Sequence, residues 1–114
     1  MIDGIEPGTL VWVDLDPAVG REQAGRRPAV VVASVGYLSA VTELVIIAPA
    51  TTKQRGWPQQ VELTGSTLKL PQPTYAMTEQ PRTINRRRIS GIAGKVEDRC
   101  LDEIRRWLAD FLHG

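Results

Sequence analysis

Two side chains, Arg27 and Thr51, stand at the ends of apolar runs, where they could act together on an anion. Arg27 lies just before the run Ala29–Ala33, and Thr51 closely follows the run Leu44–Ala48. If these runs are neighbouring strands, a guanidinium and a hydroxyl on one rim can both donate to a phosphodiester. The guanidinium also opposes the charge of a pentacovalent transition state. The alternative is structural: Arg27 pairs with a surface carboxylate and Thr51 caps a turn.

Other catalytic groups are scarce. The single histidine, His113, is the penultimate residue, where chains fray, and the single cysteine, Cys100, has the spacing of a buried residue. One histidine and one cysteine cannot supply the roughly four ligands of a zinc site, and no Gly-rich phosphate loop follows a strand. RNA carries its own nucleophile, the 2′-hydroxyl, so a phosphodiester site built on arginine and threonine needs none of these groups. We therefore expect no metal and no cofactor.

Length and composition predict a single domain over residues 1–114, of which 42% are apolar. No apolar run reaches the ~20 residues that cross a bilayer, and the N-terminus lacks a signal-peptide pattern, so we expect a cytoplasmic protein. Residues 1–20 carry four acids and no bases, whereas residues 21–88 carry ten bases and four acids. This basic middle favours a polyanionic partner, although a solvated surface with scattered arginines is the alternative.

Short apolar segments separated by turn residues predict five to seven strands. The clearest are Leu10–Leu15, Ala29–Ala33, Leu44–Ala48, Gln60–Leu63, Arg82–Asn85 and Arg88–Ala93. Val35–Thr42 is typical of an exposed connection, and prolines leave residues 65–81 with short or edge strands at most. From Val96 the apolar residues recur every three or four positions, which predicts an amphipathic C-terminal helix. These elements favour a mainly β fold, a small bent antiparallel sheet or barrel plugged by the helix.

The segment Gly20–Val32 resembles the loop and strand of the MazF/PemK toxins, the endoribonucleases of bacterial toxin-antitoxin modules. That family has the pattern Gly-x-Glu-Gln, a short spacer, Arg-Pro and an apolar run, all of which this segment contains. Other stretches resemble the same family in the same order along nearly the whole chain. They are Gly8–Pro17, Ala48–Thr52, Lys53–Pro58, Glu79–Gln80 and Arg82–Ile84.

The resemblance implies an SH3-like barrel with a C-terminal helix and a homodimer. It also implies metal-independent cleavage of single-stranded RNA at short sequences, leaving a 2′,3′-cyclic phosphate and a 5′-hydroxyl. A toxin of this kind is silenced by a cognate antitoxin, and the basic middle of the chain predicts an acidic, flexible antitoxin segment.

Carried over residue by residue, the resemblance makes Arg27 the catalytic arginine and Thr51 the catalytic threonine. Arg27 either only neutralises the phosphorane or also transfers a proton. Four further residues match positions that contact the substrate, two in a loop beside the site and two along the RNA groove: Glu22 and Gln23, and Gln80 and Arg82.

Two further candidates for RNA binding leave alternatives open. Trp57, in a basic loop, stacks on a base, packs on the barrel or receives the antitoxin. Arg86, with the two arginines after it, either binds phosphates or is a solvated charge run. Pro81 departs from the family, which commonly has an apolar strand residue there, so base selectivity cannot be carried over.

Two other functions compete with the ribonuclease. CcdB-like toxins trap DNA gyrase on the same fold, and a non-catalytic relative would bind RNA without cutting it. The pair Arg27 and Thr51 favours the ribonuclease, as does the end His113-Gly114, which has no aromatic anchor.

Overall fold

The computed structural model describes residues 3–14 and 26–114, which form seven strands, two helices and a 3₁₀ turn at Arg86–Arg88. The strands are β1 (Thr9–Asp14), β2 (Arg26–Val31), β3 (Leu44–Thr51), β4 (Gln60–Glu62), β5 (Tyr75–Met77), β6 (Arg82–Asn85) and β7 (Ile89–Lys95). The helices are α1 (Val35–Ala40) and α2 (Asp98–His113). The predicted mainly β fold with a C-terminal helix is confirmed. The predicted end of the first strand, Leu15, lies outside the described residues.

The strands pair antiparallel in the order β4-β5-β3-β2-β1-β7, with β6 beside β3. Within the described residues this sheet is not closed into a barrel. The segment after β4 instead crosses to β7, where the Lys69 N–H donates to the Ala93 carbonyl at 2.9 Å. The Lys95 N–H donates to the Thr67 hydroxyl oxygen at 3.0 Å. Isolated hydrogen bonds therefore connect the two edges where a closed barrel would have a ladder.

The two faces of the sheet carry separate apolar clusters, because successive side chains of a strand point to opposite faces. One cluster joins the sheet to α2, through residues such as Leu10, Val30 and Ile104. The second lies on the other face and includes Val31, Ile47 and Leu38 of α1. Each helix covers one face of the bent sheet.

The segment Val35–Thr42, predicted as an exposed connection, is mostly exposed but contains the short helix α1, which was not predicted. The Ser34 hydroxyl accepts the Tyr37 N–H at 3.1 Å as an N-cap, and Leu38 is buried in the second cluster. The Arg86 guanidinium donates to two carbonyls at the C-terminal end of the helix, at 2.7 and 2.9 Å. A helix of six residues with one buried side chain is too short to show helical periodicity, and its C-terminal partner is distant in sequence.

Gly94 allows β7 to pass close to the segment after β4. Its φ is +112°, and a Cβ there would lie 2.3 Å from the Thr67 carbonyl oxygen. Backbone atoms cannot move away as a flexible side chain can, and alanine is strained at this φ.

We predict that Gly94→Ala lowers the free energy of unfolding by roughly 2–4 kcal/mol, the combined effect of strain and overpacking. Urea unfolding followed by circular dichroism measures it. Gly36→Ala is the control, because Gly36 is helical and its Cβ would meet only the Ser34 hydroxyl oxygen at 3.8 Å. Unfolding midpoints for Gly94→Ala equal to those of the wild type would contradict the prediction.

Candidate active site

The pairing of β2 with β3 brings Arg27 and Thr51 to one rim of the sheet. The paired residues end with Ala29 opposite Pro49. Two residues further along each strand, an extension of this register would bring Arg27 level with Thr51. Both side chains line a pocket of about 390 Å³. The condition on which the predicted anion site depended, that the two strands be neighbours, is met.

The pocket lies where β3 changes partners along its other edge. Residues 44–47 pair with β6 and residues 50–51 pair with β5, so a gap remains at Ala48 and Pro49. The Ile46 carbonyl accepts the Val32 N–H, so it faces β2, and the alternation of an antiparallel strand turns the backbone of Pro49 toward the gap. Proline has no N–H to leave unsatisfied there. The strand therefore continues past the gap without losing a donor.

Three polar side chains of the pocket extend from the same face of the sheet as the second apolar cluster. Arg27, Thr51 and Arg82 each lie an even number of residues from a buried member of that cluster on their own strand. These buried members are Ala29, Ile47 and Ile84. The polar rim thus begins where the apolar core ends, and packed strands hold each side chain at its root.

The Arg27 guanidinium is exposed and makes no hydrogen bond or ion pair with the residues that the structure describes. The surface carboxylate of the structural alternative is therefore not found among them. The preceding Arg26 lies on the opposite face, with its Cζ 5.0 Å from the centroid of the Trp12 ring. Of two adjacent arginines, one stacks on an indole and the other presents its donors to the pocket.

The Thr51 hydroxyl caps a turn, which is one of the two roles considered for it. Its oxygen accepts the Lys53 N–H at 3.1 Å, which caps the turn after β3. This bond uses an acceptor site of the hydroxyl and leaves its hydrogen for another acceptor. The turn therefore orients the hydroxyl and leaves it able to donate to an anion beside Arg27.

Gln80 and Arg82, predicted to line a groove, also line this pocket. The Gln80 amide donates to the Glu79 carboxylate at 3.2 Å, and its backbone N–H closes a turn on the Met77 carbonyl at 3.1 Å. That turn carries the chain from β5 to β6 across the gap beside Pro49. Nothing in the sequence marks the remaining lining residues as part of a site, and the strand topology brings them to the pocket. They are Pro49, Ala50, Met77 and Pro81.

Of the other predicted binding residues, Trp57 and Arg86 do not line the pocket. Glu22 and Gln23 lie outside the described residues. Trp57 lies in the loop after Thr51 and is 45% exposed. Arg86 lies at the other end of β6 from Arg82, where its guanidinium donates to three backbone carbonyls at 2.7 to 2.9 Å. Its donors hold α1 and β3.

Cys100 behaves as the buried residue that its spacing predicts. It is 3% exposed, and its Sγ lies 3.5 Å from the Glu62 carbonyl oxygen. Burial is the main cause that raises the pKa of this thiol, which disfavours the nucleophilic thiolate. In residues 3–14 and 26–114, no group of His, Cys, Asp and Glu side chains is arranged to hold a metal ion.

The architecture is that of a known class of small β proteins with a C-terminal helix. The crystal structure of MazF (form I) from Deinococcus radiodurans matches with a TM-score of 0.77 and 29% identity, covering 96% of this chain and 97% of that one. The MazE-MazF complex (form II) from the same organism matches with a TM-score of 0.77 and 28% identity, covering 95% of both chains. None of the helices described here is long and apolar enough to span a membrane.

Sequence comparison assigns the family. The "Endoribonuclease toxin MazF" of Escherichia coli (strain K12) is 47% identical over 58 residues, 51% of each chain, so the match spans about half of that relative. "Endoribonuclease EndoA" of Bacillus subtilis (strain 168) is 27% identical over 101 residues, 88% of this chain and 87% of its own. The family model of PemK-like, MazF-like toxins of type II toxin-antitoxin systems matches residues 6–112. This chain belongs to that family, as its sequence predicts.

Proposed function

We propose that this protein is the endoribonuclease toxin of a toxin-antitoxin module and cleaves single-stranded RNA, in particular mRNA, at short specific sequences without a metal. The observation that carries the proposal is the placement of Arg27 and Thr51 on one pocket rim, with their donors available to a phosphodiester. The names of the E. coli and B. subtilis relatives support it. Because the proposed substrate is mRNA, we also propose that the protein acts in the cytoplasm.

In the proposed reaction the 2′-oxygen attacks the adjacent phosphorus and the bond from phosphorus to the 5′-oxygen breaks. The 2′-hydroxyl releases its proton to water and the leaving 5′-oxygen takes one from water. The products are a 2′,3′-cyclic phosphate and a 5′-hydroxyl. Arg27 donates to the non-bridging oxygens as negative charge accumulates on them, and Thr51 holds one of these oxygens in line. Gln80 and Arg82 contact the flanking nucleotides.

Incubation of the protein with single-stranded RNA in excess EDTA tests this function. We expect fragments that begin with a 5′-hydroxyl, and mapping of their 5′ ends should give one short sequence. RNA that is bound but stays intact would identify a non-catalytic relative. A protein that neither binds nor cleaves RNA but traps gyrase would belong with the CcdB-like toxins. Either outcome would contradict the proposed function.

Paired variants assign the chemistry within the same assay. Arg27→Gln should lower the cleavage rate roughly 10²–10³-fold, because it removes the charge that stabilises the transition state. Arg26→Gln removes the same charge one residue away but on the opposite face, so it should cut at nearly the wild-type rate. Thr51→Val should lower the rate about 10- to 100-fold, whereas Thr51→Ser keeps the hydroxyl and most of the activity. Equal losses in Arg26→Gln and Arg27→Gln would overturn the assignment of Arg27.

We also propose a homodimer and a cognate antitoxin whose acidic, flexible segment competes with RNA for this rim. The resemblance supports the dimer, and the structure of MazE with MazF from D. radiodurans supports an antitoxin. The exposed arginines Arg27 and Arg82 on the rim make an acidic segment the complementary partner.

Titration of the cognate antitoxin into the cleavage assay tests this competition. Cleavage should stop as the complex forms, and added salt should weaken the complex because the attraction is between exposed charges. An antitoxin that binds while RNA cleavage continues would contradict a shared site.

A further inference from the structure

We propose that Arg55 and Trp57 form a base-stacking subsite next to the catalytic pocket, and that the Gln60 side-chain amide holds this subsite in place. The subsite lies in the loop of residues 52–59 between β3 and β4, here called the stacking loop. The inference rests on the proposed function, because it assigns a second contact with the same single-stranded substrate.

The Trp57 indole is 45% exposed, a large apolar surface left in water. The Arg55 Cζ lies 5.3 Å from the centroid of the Trp57 ring, so the guanidinium lies over part of the indole. The stacking loop carries two basic residues, Lys53 and Arg55, and no acid. Proteins bind single-stranded nucleic acid with this arrangement, in which an aromatic ring stacks on a base and nearby cations neutralise the phosphates.

Gln60 makes the stacking loop a fixed structure. Its Oε1 accepts the Arg55 N–H at 2.7 Å, and its Nε2 donates to the Lys53 carbonyl at 2.9 Å. The backbone N–H of Gln60 donates to the Trp57 carbonyl at 3.1 Å. One side-chain amide thus bridges a donor and an acceptor of the loop, which a carboxylate of the same shape cannot do.

Both ends of the stacking loop are attached to elements that line the catalytic pocket. At its start the Lys53 N–H is bonded to the Thr51 hydroxyl. At its end the fully buried Thr78 donates its hydroxyl to the Gln59 carbonyl at 2.8 Å, and Gln60 pairs with Met77, which lines the pocket. The Trp57 ring is therefore held relative to Thr51, so a strand that has one phosphate at the pocket can place a neighbouring base on it.

Binding of an uncleavable single strand tests the subsite. The probe is a randomised single-stranded DNA 12-mer, which lacks the 2′-hydroxyl, compared with an abasic 12-mer of equal charge. The 12-mer should quench the tryptophan emission of the wild type, and the abasic strand should not. Trp57→Leu should lose this quenching, although Trp12 and Trp107 remain, and should weaken binding about tenfold.

Gln60→Glu tests the positioning role. It keeps the shape but loses the donor to the Lys53 carbonyl, so the quenching and affinity should fall toward those of Trp57→Leu. Gln59→Glu is the matched control: it adds the same charge next door, and within the described residues the Gln59 side chain makes no hydrogen bond. Circular dichroism and urea unfolding check that each variant folds, and Trp57→Leu, at an exposed position, tests the subsite independently of Gln60.

Quenching by the abasic strand, or wild-type binding in Trp57→Leu, would overturn the subsite. If Trp57→Leu binds the 12-mer as the wild type does but binds the cognate antitoxin more weakly, the ring contacts the antitoxin and not the substrate. Equal losses in Gln60→Glu and Gln59→Glu would overturn the role of the amide. RNA cleavage without Trp57 quenching refutes only the subsite, whereas quenching without any RNA cleavage refutes only the proposed function.

Discussion

The pairing of β3 with three other strands is the constraint on which the remaining structure depends. One edge of β3 is occupied by β2, and the other is divided between β6 and β5. The pairing with β2 brings Arg27 and Thr51 to one pocket, and the division on the other edge leaves the gap at which this pocket lies. A slip of one residue between β2 and β3 would turn Arg27 to the opposite face. The apolar clusters on both faces prevent this slip, because it would move every side chain of the slipped strand from one cluster to the other face.

Several arginines of the basic middle segment, residues 21–88, contact other parts of the protein, although their number suggests a surface for a polyanion. Arg86 and Arg88 donate to backbone carbonyls of other segments, so they hold those segments in place. Arg26 and Arg55 lie over indole rings. These roles use the planar guanidinium and its fixed donors, which lysine does not have. Arg27, by contrast, makes no such contact with the described residues and lies at the pocket rim.

Local sequence predicts the strands well where β-branched residues are concentrated, as in β2 and β3, and it predicts α2 from a period sustained over several turns. It fails where non-local partners stabilise a short element. α1 depends on an arginine almost fifty residues away, and β5 is three residues long and exists because β3 and β4 both pair with it. Neither element contains enough local signal, because α1 has six residues with one buried side chain and β5 has three residues.

The sequence by itself determined the family and the candidate residues for its chemistry, because Arg27-Pro28, Thr51 and the surrounding motifs can be identified from residue types in order. Only the tertiary structure decided which of the many arginines and glutamines surround the pocket. Gln80 and Arg82 line it, whereas Arg86 braces α1 and Gln60 braces the stacking loop. The physical reason is that a side chain's partners depend on strand register and on the course of distant turns, and these follow from packing over the whole sheet.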